Sequence, residues 1–253
     1  MMIDNTWAAF LPPFALGAVF AAVMAKAYST RQLDQRVAQM EELALCRHWV
    51  RSLRKAWRLL PSLTTHPVLH HRATTVIATC LDRLKAYDAG IVAYDNLIER
   101  LANQDPVSAL LRAQRAIAQL VNGQLTDADV ALRRLRGHGH GQVAATCRLA
   151  SLVQQAQTNH WADAVEQSSS ELVNQLRPLG VEAGYGYALM ALACYKLTSN
   201  QPSAEPDRAE MWWSYATRLL PVGALVDRFS EVGAAANVLA SESAVPPPVV
   251  WQT

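Results

Sequence analysis

Two groups of histidines carry side chains suited to holding a metal ion. His66 and His70 have the four-residue spacing with which one helix face presents two ligands, but a proline lies between them and local spacing supplies no third ligand. His138 and His140 lie in a glycine-rich loop that could hold a metal ion or a phosphate, although a solvated turn between helices is the simpler interpretation. We therefore predict no metal site and no cofactor.

The common catalytic signatures do not occur in the sequence. No glycine-rich phosphate loop follows a strand, no nucleophile elbow is found, and no helix carries a His-Glu-x-x-His pair. The four cysteines are far apart in apolar helical contexts and lack the paired spacing of zinc sites or disulfide frameworks. They are Cys46, Cys80, Cys147 and Cys194. We predict buried, reduced thiols in a protein that is not an enzyme.

A stripe of arginines is the most regular charged pattern. Arg47, Arg51, Arg54 and Arg58 recur at spacings of four, three and four, which places them along one side of a helix. This basic face either lies near anionic lipid headgroups or is an ordinary solvated surface, and both interpretations stay open. A net charge of +2 is too small to indicate nucleic acid. The apolar stripe predicted to pack on the other side is Cys46, Val50, Leu53, Trp57 and Leu60.

Aromatic residues are the candidates for anchoring a protein partner, because tryptophan, tyrosine and arginine dominate interaction hot spots. The candidates are Trp161, Tyr185, Tyr187, Trp212, Trp213 and Trp251. Core packing is the alternative for each of them. Neighbours one or two positions apart do not share a helical face, so each close pair is expected to divide between core and surface.

The N-terminal segment predicts a membrane anchor over residues 1–28. Residues 7–25 carry no charge, and a helix of nineteen residues rises roughly 28 Å, close to the ~30 Å hydrocarbon core of a bilayer. Pro12 and Pro13 would start or kink this helix. Lysine and arginine follow the segment and none precedes it, which places the N-terminus outside and the remainder in the cytoplasm, at the inner membrane. A signal peptide cleaved after Ala27 is the alternative, although a positive n-region is missing.

The remaining chain reads as pairs of helices. After a basic juxtamembrane helix over 29–61, eight segments are predicted across 62–221: 68–87 with 89–102, 107–122 with 126–136, 142–158 with 161–176, and 182–197 with 208–220. Small residues recur in the second helices at Gly90, Ala128, Ala164 and Ala209, separated by 38, 36 and 45 positions. This period indicates an all-α repeat architecture.

The second helices resemble those of the tetratricopeptide repeat. Ala209-x3-Trp213-x2-Ala216-x4-Pro221 follows that family's second-helix pattern, and residues 56–61 echo residues 216–221. The segments 123–128 and 159–164 resemble its turn into the second helix. The resemblance implies an α-solenoid whose concave groove binds protein, although degenerate repeats or a related solenoid fit equally well. Residues 222–243 are then expected to form a capping helix, with Leu225, Phe229, Val232, Ala236 and Leu239 as its apolar positions, and 244–253 a proline-rich tail.

These patterns predict a membrane-anchored helical-repeat scaffold that mediates protein–protein interaction or complex assembly at the cytoplasmic face of the membrane. Its expected partners are proteins, membrane-associated ones above all, and the bilayer itself through residues 7–25; no nucleic acid and no small-molecule substrate is expected. Two alternatives stay open. The chain could be an integral structural or accessory subunit of a larger membrane complex, or a membrane-tethered enzyme or metal-binding module that uses the histidines.

Overall fold

The computed structural model describes residues 11–101, 106–135, 141–166, 171–200 and 206–242, with side chains from Met24 onward apart from a few positions at segment ends. All regular structure in these segments is helical, which confirms the predicted all-α class. In chain order the helices are α1 Leu11–Leu45, α2 Trp49–Leu59, α3 Pro67–Arg83, α4 Tyr87–Glu99, α5 Pro106–Val121, α6 Leu125–Leu135, α7 Gly141–Gln157, α8 Trp161–Glu166, α9 Glu171–Leu176, α10 Ala183–Asn200, α11 Pro206–Leu219, α12 Val222–Arg228 and α13 Val232–Glu242.

The chain forms two compact units, Met1–Leu84 and Lys85–Thr253. In the first unit, which we call the N-terminal unit, α2 packs on α1, and α3 packs on both. The shared core consists of Val37, Met40, Ala56, Leu59, Leu63, Leu69, Ala73, Val76, Ile77 and Cys80. A 3₁₀ helix, Leu60–Leu63, joins α2 to the loop before α3. The unit boundary therefore follows α3, whereas the sequence had suggested a division at 61/62.

The second unit, which we call the C-terminal unit, is organised as packed helix pairs. The first helices α5, α7 and α10 each pack on their own second helices α6, α8 and α11, and α5 also packs on α7, which packs on α10. Residues 183–194 of α10 are buried on every side, since α7, α8, α11, α12 and α13 surround them. A Cβ on Gly186 would lie 2.5 Å from Leu176 Cδ1, so any side chain at this position would force the buried Leu176 to shift. This arrangement is compatible with a helical repeat.

Four equivalent turns connect first helices to second helices. Each contains one residue in the left-handed conformation: Arg47 (φ +62°), Lys85 (+63°), Gly123 (+80°) and Asn159 (+58°). At three of them the next backbone N–H donates to the carbonyl five residues earlier, at 2.8, 2.8 and 2.9 Å, which is the Schellman helix ending. The four residues are spaced 38, 38 and 36 apart. The fifth residue after each is small and buried, namely Ser52, Gly90, Ala128 and Ala164.

Two predicted helices are interrupted. The single helix predicted over 29–61 is wrong, because α1 ends at Leu45 and the turn at Arg47 reverses the chain into α2. The single capping helix predicted over 222–243 is also wrong, because Phe229 is extended (φ −130°, ψ 96°) and separates α12 from α13. All five of its predicted apolar positions are nevertheless buried.

The predicted membrane span is covered only in part. Where the structure describes side chains, no helix is long and apolar enough to cross a membrane. Residues 7–10 lie outside the described residues, and so do nearly all side chains of 11–25, whose backbone belongs to α1. The span stays a prediction. Pro12 and Pro13 fall in the first turn of α1, where a missing N–H costs no intrahelical hydrogen bond.

Candidate functional site

The outward side of α2 exposes basic and apolar side chains together. At about 100° per residue, five side chains fall within an arc of roughly 120°: Val50, Arg51, Arg54, Trp57 and Arg58. We call these five residues the α2 face. Trp57 is 67% exposed and Val50 55% exposed, and the three arginines are also exposed. The apolar pair occupies one edge of the arc, and Arg51 and Arg58 the other.

The buried side of α2 fixes the orientation of this face. Ser52, Ala56 and Leu59 point into the core of the N-terminal unit. The Ser52 hydroxyl donates a 2.7 Å hydrogen bond to the backbone carbonyl of Met40 on α1. Lys55 Nζ donates to Gln39 Oε1, also at 2.7 Å. These contacts tie α2 to α1 and leave the α2 face toward solvent.

The charge of the α2 face is not balanced locally. Two carboxylates of α1, Asp34 and Glu41, accept hydrogen bonds from Arg72 of α3 at 2.6 Å each. The bond to Glu41, assisted by the one to Asp34, raises the pKa of Arg72 above its ordinary value. Among the described residues, no carboxylate pairs with Arg51, Arg54 or Arg58. The three guanidinium groups therefore remain available to a ligand.

Equivalent helices do not share this pattern. Counting 4, 7, 10 and 11 positions from the left-handed residue gives Arg, Arg, Trp and Arg on α2. The same positions hold Ala89, Val92, Asp95 and Asn96 on α4, and Asp127, Val130, Arg133 and Arg134 on α6. Second helices of the same turn geometry thus form without a basic, tryptophan-bearing face. The composition of the α2 face is not required by the fold.

The predicted arginine stripe is brought together in part. Arg51, Arg54 and Arg58 share the α2 face, whereas Arg47 is half-buried in the turn before it. The predicted packing stripe is wrong at three of its five positions, because Val50 and Trp57 face solvent and Cys46 is exposed; Leu53 and Leu60 are partly buried against the core. Within α2 the core side is marked by the small residues Ser52 and Ala56 together with Leu59, whereas the larger Val50 and Trp57 lie on the opposite side, so a stripe chosen by hydrophobic size assigns the wrong side to the core.

The aromatic candidates are mostly core residues. Tyr185, Tyr187, Trp212 and Trp213 are all at least 95% buried, and Trp161 is half-buried against the same core. Tyr187 stacks on Trp212 with ring centroids 5.7 Å apart, and Tyr185 meets Phe229 edge-on at 5.8 Å.

These positions correct the sequence interpretation. The four buried side chains are not accessible to a partner, and the expected division of each pair between core and surface is wrong. Tyr185 and Tyr187 are both buried because helices cover α10 on all sides, and Trp212 and Trp213 of α11 belong to the same buried cluster. Trp251 lies outside the described residues.

The cysteines and histidines offer no assembled reactive centre in the described segments. Cys80 and Cys194 are buried and Cys147 is half-buried, and burial raises the pKa of each thiol. Cys46 is exposed because it follows the end of α1, so its predicted burial is wrong. Within the described residues no three His, Cys, Asp or Glu side chains are grouped as a metal site would require. His138 and His140 lie outside them.

Comparison with known proteins adds no relative. No protein-family model, curated protein or solved structure matches the chain. The α2 face is therefore compared within the chain, with the helices that follow the equivalent turns.

Proposed function

We propose that this protein is a membrane-anchored scaffold built from tetratricopeptide-like repeats, which holds an acidic segment of a protein partner at the cytoplasmic face of the inner membrane. The observation that carries the proposal is the α2 face. It presents an exposed tryptophan beside three arginines that no carboxylate of the described residues pairs with. Such residues are the common hot spots of protein interfaces.

The recurring turns support the repeat assignment. Left-handed residues spaced 38, 38 and 36 apart, each followed at the fifth position by a small buried residue, give the chain the period of a helix-turn-helix repeat. Repeats of this kind stack so that each unit covers its neighbour's apolar side. By the same criterion α1 and α2 form the first repeat. The repeat array therefore begins inside α1, the helix that carries the proposed anchor.

The continuity of α1 sets the height of the α2 face above the membrane. The α1–α2 turn makes the two helices antiparallel, and Ser52 lies opposite Met40. Arg58 is then level with about residue 34 of α1, and Arg51 with about residue 41. At 1.5 Å per residue, these levels lie roughly 14 and 24 Å beyond Ala25 along the helix axis.

That height favours a protein over lipid headgroups as the ligand of the α2 face. Exposed charges separated by more than a Debye length, about 8–10 Å at physiological salt, are largely screened from one another. A headgroup layer of about 5–8 Å follows the hydrocarbon core, so Arg51 and Arg54 lie more than a Debye length beyond a bilayer whose core ends near Ala25, and Arg58 alone lies within reach of its charge. An acidic helix or segment with an apolar edge would match both the arginine edge and the Val50–Trp57 edge.

Affinity purification of the full-length protein from membranes in mild detergent, with quantitative mass spectrometry, tests this function. The variant carries Arg51→Glu, Arg54→Glu and Arg58→Glu. A matched control reverses three exposed arginines of the C-terminal unit, at positions 134, 177 and 218. We expect one membrane-associated protein, retained by the wild type and the control, to be lost from the variant. If the variant and the control both retained the same proteins as the wild type, the proposal would be contradicted.

The same experiment addresses the alternative of an integral subunit. A stoichiometric set of membrane proteins that survives both triple substitutions but is lost when residues 1–28 are deleted would indicate a built-in component of a larger complex. A partner that depends on the α2 face indicates a recruiting scaffold.

A further inference from the structure

A second basic feature lies closer to the proposed bilayer than the α2 face. A cleft of about 810 Å³ opens in the N-terminal unit between residues 26–34 of α1 and residues 65–69 at the start of α3. Its walls are largely apolar and include Ala27, Pro67 and Val68. Val68 is 71% exposed although nonpolar, so the cleft presents apolar surface that the described part of the chain does not cover.

The cleft is lined by more positively charged than negatively charged side chains. Lys26 and Arg31 lie on its α1 side and His66 on its α3 side. Neither Lys26 nor Arg31 forms an ion pair with a described residue. The acidic lining residue, Asp34, is held at 2.6 Å by Arg72. Two cations that pair with no described carboxylate therefore line a cleft in which Asp34 is already paired with Arg72.

The position of the cleft along α1 fits the headgroup layer. Lys26 and Arg31 are one and six residues beyond Ala25 in the same continuous helix, which is roughly 1.5 and 9 Å along its axis. Bilayer headgroups occupy about 5–8 Å on each side of the hydrocarbon core. Unlike Arg51 and Arg54 of the α2 face, these two cations lie within a Debye length of the lipid phosphates.

We propose that this cleft binds the headgroup of an anionic phospholipid. Lys26 and Arg31 pair with its phosphate, His66 supplies a further polar contact, and the apolar wall around Val68 lies against the glycerol and upper acyl region. A chain anchored by residues 7–25 would carry this lipid beside α1. The inference rests on the proposed membrane anchor and adds to it a lipid preference located in the cleft.

The test uses full-length protein reconstituted into phosphatidylcholine bilayers doped with phosphatidylglycerol. After mild detergent extraction, native mass spectrometry counts the lipids that each chain retains. We expect phosphatidylglycerol to be retained in preference to phosphatidylcholine. Lys26→Glu with Arg31→Glu should lower that retention about tenfold, since basic groups at a bilayer surface each add modestly to anionic binding. The control, Arg134→Glu with Arg218→Glu, should retain the lipid.

The remaining outcomes separate the possible failures. Equal retention of the two lipids, or equal loss in variant and control, would overturn the lipid site. Displacement of the phosphatidylglycerol by inorganic phosphate, with phosphate then bound, would identify a free-phosphate site and reject the lipid. Carbonate extraction of the same membranes tests the anchor separately. Release of the chain by carbonate would overturn the anchor and this inference together, whereas a retained chain without bound lipid would overturn only the inference.

Discussion

Glycine substitution at the repeat turns should change stability in opposite directions at sites four residues apart. Arg47 is left-handed (φ +62°), which costs a residue with a Cβ roughly 1–2 kcal/mol. Replacing it with glycine removes this strain, but glycine gives the unfolded chain more conformational freedom, which offsets the gain by about 0.5–1 kcal/mol. Arg47→Gly should therefore raise the free energy of unfolding by about 0.5–1 kcal/mol. Arg51→Gly, an equal change inside α2, should lower it by about 1 kcal/mol.

Gly123 provides the reverse experiment. Its φ is +80°, and a Cβ added there would meet no atom within 4 Å. Gly123→Ala therefore introduces backbone strain without a steric clash, and should lower the free energy of unfolding by about 0.5–1 kcal/mol. Lys85→Gly, at the equivalent turn with φ +63°, should stabilise less than Arg47→Gly, because it also removes the exposed 2.9 Å ion pair between Lys85 and Asp227.

Urea unfolding of the full-length protein in mild detergent, followed by far-UV circular dichroism, measures these differences through the transition midpoint. Shifts of about 1–4 °C in Tm should accompany them for a chain of this size. If Arg47→Gly destabilised the protein as much as Arg51→Gly, the left-handed conformation of Arg47 would be contradicted, and with it the assignment of α1 and α2 as the first repeat.

Three further changes test packing and charge. Gly186→Val should destabilise the C-terminal unit by about 1–3 kcal/mol in the same urea assay, because its side chain would overlap the buried Leu176 methyl. Arg72→Met should cost no more than about 1 kcal/mol, since its ion pairs are half-exposed, and the loss should shrink in high salt. Burial raises the pKa of the Cys80 thiol in the folded protein, so the unfolded chain loses this proton first as pH rises. The free energy of unfolding should then fall above about pH 9, and it should fall less in Cys80→Ala. At neutral pH a thiol reagent should label Cys46 before the other cysteines, because Cys46 is exposed.

The helix pairs of the C-terminal unit were predictable because residues with turn chemistry separate them. Gly123 and Asn159 occupy left-handed positions that these residue types favour, and the helices on either side begin within a few residues of their predicted starts. The helix predicted over 161–176 corresponds to α8 and α9, between which residues 167–170 lie outside the described residues. Arg47 and Lys85 occupy the same conformation without any such signal. Helical periodicity therefore continues across residues 45–49 of the sequence, and it does not predict that α1 and α2 are separate helices of one repeat.

A signal for that first unit does exist in the sequence. Trp49 precedes Ser52 by three positions, as Tyr87 precedes Gly90. Leu125 and Trp161 stand in the same relation to Ala128 and Ala164, and the four small residues are spaced 38, 38 and 36 apart. Extending the small-residue alignment one period toward the N-terminus would have placed a turn near Arg47. It would also have turned Trp57 toward solvent.

The burial of the aromatic pairs could not be read from local spacing. Adjacent or near-adjacent residues point to different sides of a helix, which predicts one buried and one exposed partner only when the helix has a solvent side. Residues 183–194 contain no charged side chain, and a helix that is apolar all round is a buried one. That composition was the available sign that Tyr185 and Tyr187 both belong to the core.

Site-specific photocrosslinking from position 57 in cells tests the central claim most directly. A photoreactive amino acid replaces Trp57, and a control places it at Val130, an exposed valine on α6. The account predicts one discrete protein adduct in the membrane fraction from position 57, lost when Arg51, Arg54 and Arg58 are also changed to glutamate, and absent from position 130. Adducts with lipid alone, or the same protein adducts from both positions, would contradict a partner-binding role for the α2 face.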